Sequence, residues 1–185
     1  GQRYLIQAAA LVVQQVPDVR FLIVGEGELR ATLQKQIKHL RLEKHVILTG
    51  FRPDALALLK GFDLFVMSSV TEGLGTSVLD AMACGGAVVA TRAGGIPESV
   101  VDGETGLLVP VRDPVRLAAA VVRLLGDQTL RRAYGDAGRE RVRLDAGIGI
   151  LAIVPVEIVL AVEIETFEIL DLERRPGDMR GGGQA

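Results

Sequence analysis

The chain has 185 residues, 49% of them hydrophobic and 24% charged, with a formal net charge of −2 and one cysteine. That length suits a single well-packed domain. The near-neutral charge gives no electrostatic case for nucleic acid or an anionic membrane, and a lone cysteine excludes an internal disulfide and a cysteine metal site.

No signal-peptide pattern opens the sequence. The longest apolar stretch, Ile148 to Val162, is broken by Pro155 and Glu157 and is short for a bilayer span. The expected compartment is the cytoplasm.

The first element is a helical pattern with Leu5, Ala8, Ala9, Val12 and Val16 on one face, ended by Pro17-Asp18. A parallel α/β domain ordinarily starts on a strand, so the chain is expected to be truncated ahead of this helix. Phe21 to Val24 is a short buried strand. Gly25-Glu26-Gly27 then turns into a helix from Glu28 to about Leu40. Strand, Gly-x-Gly and helix invite a dinucleotide reading. The third glycine of that fingerprint falls on Arg30, whose bulk opposes the close helix–strand packing the glycine permits. A tight turn accounts for both glycines.

His39 and His45 have no third ligand candidate beside them and read as solvated helix-end residues, since zinc needs three or four ligands. Val46 to Thr49 is the next strand. Gly50-Phe51-Arg52-Pro53-Asp54 is a turn that starts a helix, with the proline early in the first turn. Phe51 reads more readily as core than as a platform for a base, given its apolar strand neighbour. Leu56, Leu59 and Phe62 read as packing residues.

Leu64 to Met67 is a buried strand that leads into a polar, glycine-rich turn from Ser68 to Gly75. Val78, Leu79, Met82 and Ala83 then fall at helical spacing, and Ala87 to Ala90 is the following strand. Glu72 stands in the turn and Asp80 about one turn into the helix. Between them Gly73 and Gly75 let a ligand approach the backbone. The first helical amides, around Thr76 and Ser77, have no internal partners and carry the positive end of the helix dipole, which makes a phosphate site. Carboxylates repel phosphate but accept hydrogen bonds from hydroxyls. A diphosphate with hydroxyl-rich groups at both ends, a nucleotide sugar, satisfies both conditions. Each residue also has a plainer reading: Glu72 as a helix-dipole partner, Asp80 as an ordinary helix residue, Cys84 as a small buried residue behind an apolar helix face. Ser77 has no base near it and is no nucleophile candidate.

Beyond Glu98, which reads as a cap for the following turn, Asp102-Gly103 marks a turn and Leu107 to Val109 a brief strand. Asp113-Pro114 opens a helix as N-cap and first residue. An arginine-rich helix runs from about Thr129 to Val142, its charges read as a solvated face.

From Val19 to about Arg143 the sequence resembles the C-terminal, donor-binding half of the glycosyltransferase group 1 family, retaining enzymes of the GT-B fold. The signature of that family, two glutamates separated by seven residues and then Ala-Met-Ala, reads here Glu72, seven residues, Asp80, Ala81-Met82-Ala83. Phe21-Leu-Ile-Val-Gly25-Glu-Gly27, Val46-Ile-Leu-Thr-Gly50-Phe51, Gly94-Gly-Ile-Pro-Glu98 and Asp102-Gly-Glu-Thr-Gly-Leu-Leu-Val-Pro110 follow its pattern in order. The resemblance implies a doubly wound, Rossmann-like parallel sheet, one half of a two-domain enzyme. It implies transfer of a sugar from a nucleoside diphosphate sugar to an acceptor with retention, with no metal and no other cofactor.

Glu72 is then the catalytic-site carboxylate, on the hydroxyls of the donor sugar, and Asp80 the grip on the ribose. The aspartate retracts those oxygens by roughly 1.5 Å relative to glutamate. Gly73, Gly75, Thr76 and Ser77 would serve the diphosphate, and Gly25, Phe51 and Arg52 would border the donor. Gly1 matches the glycine that closes a basic loop in the family. The Arg and Lys of that loop and the acceptor-binding domain would lie upstream, so this chain by itself is expected to be inactive. An acceptor at a membrane surface fits the same reading. A non-catalytic nucleotide-sugar-binding fragment and a sugar-nucleotide epimerase of similar fold stay open as alternatives.

The donor-binding unit is expected over 1–143. The resemblance ends there, and 144–185 forms an atypical tail: an apolar, glycine-containing run to Val162, alternating acidic and apolar residues to Glu173, then a glycine-rich end expected to be disordered. Val162 to Leu172 suits either a strand or an amphipathic helix. A strand added from this segment is expected to lie unpaired at an edge.

Overall fold

A computed structural model describes residues 1–144 with their side chains and the backbone of 158–163. The elements run α1 (Gln2–Val12), β1 (Val19–Val24), α2 (Arg30–His39), β2 (Val46–Gly50), α3 (Ala55–Leu59), β3 (Leu64–Met67), α4 (Thr76–Ala83), β4 (Ala87–Thr91), α5 (Ile96–Ser99), β5 (Leu107–Val109), α6 (Pro114–Leu125), α7 (Gln128–Leu144) and β6 (Ile158–Glu163). Six strands form one sheet in the order β2-β1-β6-β3-β4-β5. β1 pairs in parallel with β2, and β3, β4 and β5 pair in parallel in turn.

The strands are mostly apolar because both faces of the sheet are covered. Alternate residues point to opposite sides. Phe21, Ile23, Leu64, Val66 and Val89 join one core with α1, α2 and α6, while Leu22, Val24, Phe65, Met67 and Val88 join a second with α3, α4 and α5. This is the doubly wound α/β arrangement the sequence predicts. α1 buries Leu5, Ile6, Ala8, Ala9 and Val12, the face expected from its periodicity. In α6 the Asp113 carboxylate accepts from the Arg116 amide, and Pro114 occupies the first turn. Pro53 differs from expectation. It precedes α3, which begins at Ala55 behind Asp54.

The sheet is not wholly parallel. β6 lies between β1 and β3 and runs antiparallel to both. The strand therefore has ladder partners on both sides, not the unpaired edge expected of a strand from the segment after Arg143. β6 begins beyond the boundary drawn at Arg143 and belongs to the same sheet. The glycine-rich end, 174–185, lies outside the described residues, as does all but the first two residues of the 162–172 segment.

α7 keeps Arg132, Arg139 and Arg143 exposed, as a solvated face predicts, but uses three of its arginines to reach backbone carbonyls. Arg141 donates to the Ser99 and Glu98 carbonyls, both at 2.8 Å, and Arg131 to the Leu124 carbonyl at 2.7 Å. Arg139 reaches the Cys84 carbonyl at 3.3 Å. These charged donors satisfy carbonyls at helix ends and turns that would otherwise depend on water. Close approach makes the contact possible: a Cβ on Gly135 would lie 2.2 Å from the Gly85 carbonyl oxygen.

Candidate donor site

The site is built at the carboxyl ends of the parallel strands. β3 ends at buried Met67, buried Ser68 follows, and the chain then loops through Glu72 to Gly75. Gly75 adopts φ 69°, a left-handed conformation that favours glycine, and stands as the N-cap of α4. It brings no side-chain oxygen to the helix start, so the first amides of α4 stay available to a ligand. Val78, Ala81 and Met82 bury one face of α4. The helix closes with Gly85 at φ 77°, its amide bonded to Met82, and with the Gly86 amide bonded to Ala81. These two bonds form a Schellman ending. Both ends of the short helix are therefore fixed.

Glu72 is half-buried and already engaged. Its Oε2 accepts from Ser69 Oγ at 3.0 Å and its Oε1 from the Gly73 amide at 3.1 Å. The loop that carries it is clamped from β4. Thr91 Oγ1 donates to the Ser69 carbonyl at 2.6 Å, and the Gly95 amide donates to the Gly73 carbonyl at 2.8 Å. A Cβ on Gly94 would lie 1.8 Å from the Glu72 carbonyl oxygen. Gly73 has open space around it, with nothing within 4 Å of an added Cβ. Thr76 is half-exposed at the helix start, whereas Ser77 is buried, so Ser77 can contribute through its backbone and not through its hydroxyl.

Asp80 lies on a different face of α4 from its core residues. It lines an open groove of about 410 Å³ with Leu56, Lys60, Ala83, Cys84 and Arg139. Burial raises its carboxyl above the ordinary aspartate range. Two packing expectations change here. Leu56 is exposed at the groove wall, and Cys84 is half-buried in the lining instead of enclosed. Burial and the Asp80 charge raise the Cys84 thiol, and Lys60 and Arg139 oppose that rise.

On the neighbouring strands, Gly25 and Gly50 are joined by a backbone bond of 2.9 Å from the Gly25 amide to the Gly50 carbonyl. Arg30 sits where the dinucleotide fingerprint wants glycine, and its guanidinium donates to the Leu48 carbonyl at 3.0 Å. Phe51 is 54% exposed, contrary to a core role, because the turn after β2 carries it out of the sheet. Arg52 is held by Asp54 in a two-pronged pair at 2.7 and 2.6 Å, which lowers the Asp54 carboxyl and raises the guanidinium. Its charge is already matched. His45 is half-buried, not a fully solvated residue, and its Nδ1 lies 3.1 Å from the Val19 carbonyl oxygen. Among the described residues no group of three or more His, Cys, Asp or Glu is placed to hold a metal, and no helix is long and apolar enough to cross a membrane.

Every sequence-predicted site residue except Asp80 thus stands in a loop or helix start at the carboxyl face of the sheet, and Asp80 faces the groove one turn below. Sequence reasoning missed the supporting roles of Ser69, Thr91 and Gly94. The Gly94-Gly95 pair in the motif was the one available signal.

A family model for glycosyl transferases group 1 matches residues 1–141. The chain belongs to that family. It is 38% identical over 138 residues to an N-acetyl-alpha-D-glucosaminyl L-malate synthase of Bacillus anthracis, covering 75% of this chain and 36% of that protein. It is 40% identical over 148 residues to a GDP-mannose-dependent alpha-(1-6)-phosphatidylinositol monomannoside mannosyltransferase of Mycolicibacterium smegmatis, covering 75% and 39%. The crystal structure of the C-terminal domain of the group 1 glycosyl transferase LpcC from Francisella tularensis superimposes with a TM-score of 0.73 and 31% identity, covering 80% of both chains. Anabaena HepE in complex with UDP and glucose matches with a TM-score of 0.73 and 31% identity, covering 78% of this chain and 40% of that one. The chain therefore spans well under half the length of these curated relatives.

Proposed function

We propose that residues 1–143 form the nucleotide-sugar-binding unit of a retaining glycosyltransferase. The observation that carries this reading is the Glu72 loop. A carboxylate held by Ser69 and the Gly73 amide stands beside a helix start whose N-cap is a left-handed glycine. Diphosphate oxygens on the α4 amides would be stabilised by hydrogen bonds and the helix dipole. Glu72 Oε1 and Oε2 retain lone pairs that accept sugar hydroxyls. Asp80, facing the groove, accepts the two ribose hydroxyls, and the exposed ring of Phe51 borders the base.

In the transfer, the bond from the anomeric carbon to the diphosphate breaks and negative charge develops on the diphosphate. The α4 amides stabilise that charge more in the transition state than in the ground state. The acceptor hydroxyl adds on the face from which the diphosphate leaves, its proton passing to an oxygen of the departing diphosphate, and the configuration is retained. Transfer needs groups outside this chain to hold the acceptor, so the chain alone binds donor without turning it over.

The test is titration of the chain with UDP-glucose, GDP-mannose and UDP-N-acetylglucosamine by calorimetry, for wild type and Glu72→Gln. Saturable binding of one donor that weakens in the variant supports the assignment. Absence of binding across the panel refutes it.

A further inference from the structure

The loop that carries Glu72 rests on α5 and the two glycines before it. Gly94 leaves no room for a Cβ against the Glu72 carbonyl, and the Gly95 amide donates to the Gly73 carbonyl at 2.8 Å. Ile96 is fully buried, and its Cγ1 would lie 3.1 Å from a Cβ on Gly75, the N-cap of α4. Three successive residues, 94–96, thus meet Glu72, Gly73 and Gly75, the stretch assigned to the donor.

α5 cannot hold its shape alone. It has four residues, about one turn of helix. One turn fixes several backbone dihedrals for very few hydrogen bonds and is unfavourable in isolation. Its last carbonyls have no partner within the helix. Arg141 of α7 supplies one. Nε donates to the Ser99 carbonyl and Nη2 to the Glu98 carbonyl, both at 2.8 Å. A planar guanidinium fork on two carbonyls fixes direction as well as distance.

α7 is itself tied to the far end of α4. A Cβ on Gly135 would lie 2.2 Å from the Gly85 carbonyl oxygen, and one on Gly138 3.4 Å from Met82 Cγ. The contacts run in a closed ring. The start of α4 lies on Ile96, the end of α5 is held by Arg141, and α7 returns through Gly138 and Gly135 to the end of α4. Arg141 is the joint that a substitution can open without touching either packed contact.

We propose that Arg141 is a positioning residue for the donor loop: its fork on the Glu98 and Ser99 carbonyls holds α5 as the platform under Glu72, Gly73 and Gly75. Arg141 acts through α5 and not on the donor. Its effect on donor affinity rests on the donor reading above; its effect on the loop does not.

Arg131 is the control. It stands on the same helix, donates to the Leu124 and Leu125 carbonyls at the end of α6, and pairs with Asp63 at 3.5 Å. Asp63 precedes β3 at the amino end of that strand, whereas the Glu72 loop follows its carboxyl end. Arg141→Gln and Arg131→Gln in the full chain should both lower the melting temperature. Only Arg141→Gln should reach the loop. Its Gly95 amide is expected to exchange with solvent about two- to thirty-fold faster by NMR, the range of coupling carried through packed elements. Affinity for the donor that wild type binds, among UDP-glucose, GDP-mannose and UDP-N-acetylglucosamine, is expected to fall by a similar factor. Arg131→Gln should change neither. Unchanged Gly95 exchange in Arg141→Gln, equal acceleration in both variants, or faster exchange with unchanged donor affinity overturns the proposal. Binding of none of the three donors by wild type overturns the donor reading itself, and Gly95 exchange then still decides whether Arg141 holds the loop.

Discussion

The backbone at Gly94 lies so close to Glu72 that no side chain fits between them: an added Cβ would meet the Glu72 carbonyl oxygen at 1.8 Å. Gly94 also adopts φ 50°, in the left-handed region. The loop after β4 is thus a template for the loop after β3, and the position of Glu72 is set by two strands.

Gly94→Ala is therefore expected to move the Glu72 loop. Left-handed strain alone costs on the order of 1–3 kcal/mol, and the contact forces a backbone shift in addition. Gly103 is the control, since it has φ 80° but nothing within 4 Å of an added Cβ. Gly103→Ala should lower the melting temperature without changing donor affinity. Gly94→Ala should lower both. Equal donor affinity in the two variants would show that the clamp does not position the loop.

Glu72→Gln and Asp80→Asn are each expected to weaken donor binding. Each removes charge from a hydrogen bond to a hydroxyl, worth about 1.5–3 kcal/mol. UDP should distinguish them. It carries the ribose but no donor sugar, so Asp80→Asn should weaken UDP and UDP-sugar alike, while Glu72→Gln should weaken the UDP-sugar more. Titrations of both ligands against both variants check the division of roles.

The Asp80 carboxyl is raised by burial in its groove. The folded chain then holds that proton more tightly than the unfolded chain does. Its contribution to stability is fully present below the ordinary aspartate value and is lost as pH rises through the raised value. Ribose binding has the opposite demand, because the acceptor is the ionised form. Donor affinity should therefore fall, as pH is lowered, at a higher pH than an ordinary aspartate would give. Asp80→Asn should flatten both profiles. Denaturant melts and titrations between about pH 3 and 7 read the two effects.

Removing residues 145–185 takes β6 from between β1 and β3 and leaves two inward-facing strand edges unpaired. The shortened chain is expected to melt about 10 °C or more below the full chain, a shift that several kcal/mol would produce in a domain of this size, and to scatter light more strongly at equal concentration. An unchanged melting temperature would show that β6 adds nothing to the sheet's stability.

The sequence by itself determined most of the local structure and the kind of site. The β-strand at Leu64–Met67 and the helix beginning at Thr76 were legible because an apolar run and a 3.6-residue period are local properties. The spacing of Glu72, Gly75 and Asp80 around a helix start was legible for the same reason. Only the tertiary structure decided what depends on residues distant in sequence. It showed that Thr91 and Gly94 fix the Glu72 loop across the β3–β4 pair. It turned Arg131 and Arg141 inward to backbone carbonyls, a choice that charge patterning along one helix cannot reveal. It also placed Ile158–Glu163 at the centre of the sheet, because strand order and direction depend on pairing with residues distant in sequence, and no period in the sequence encodes that.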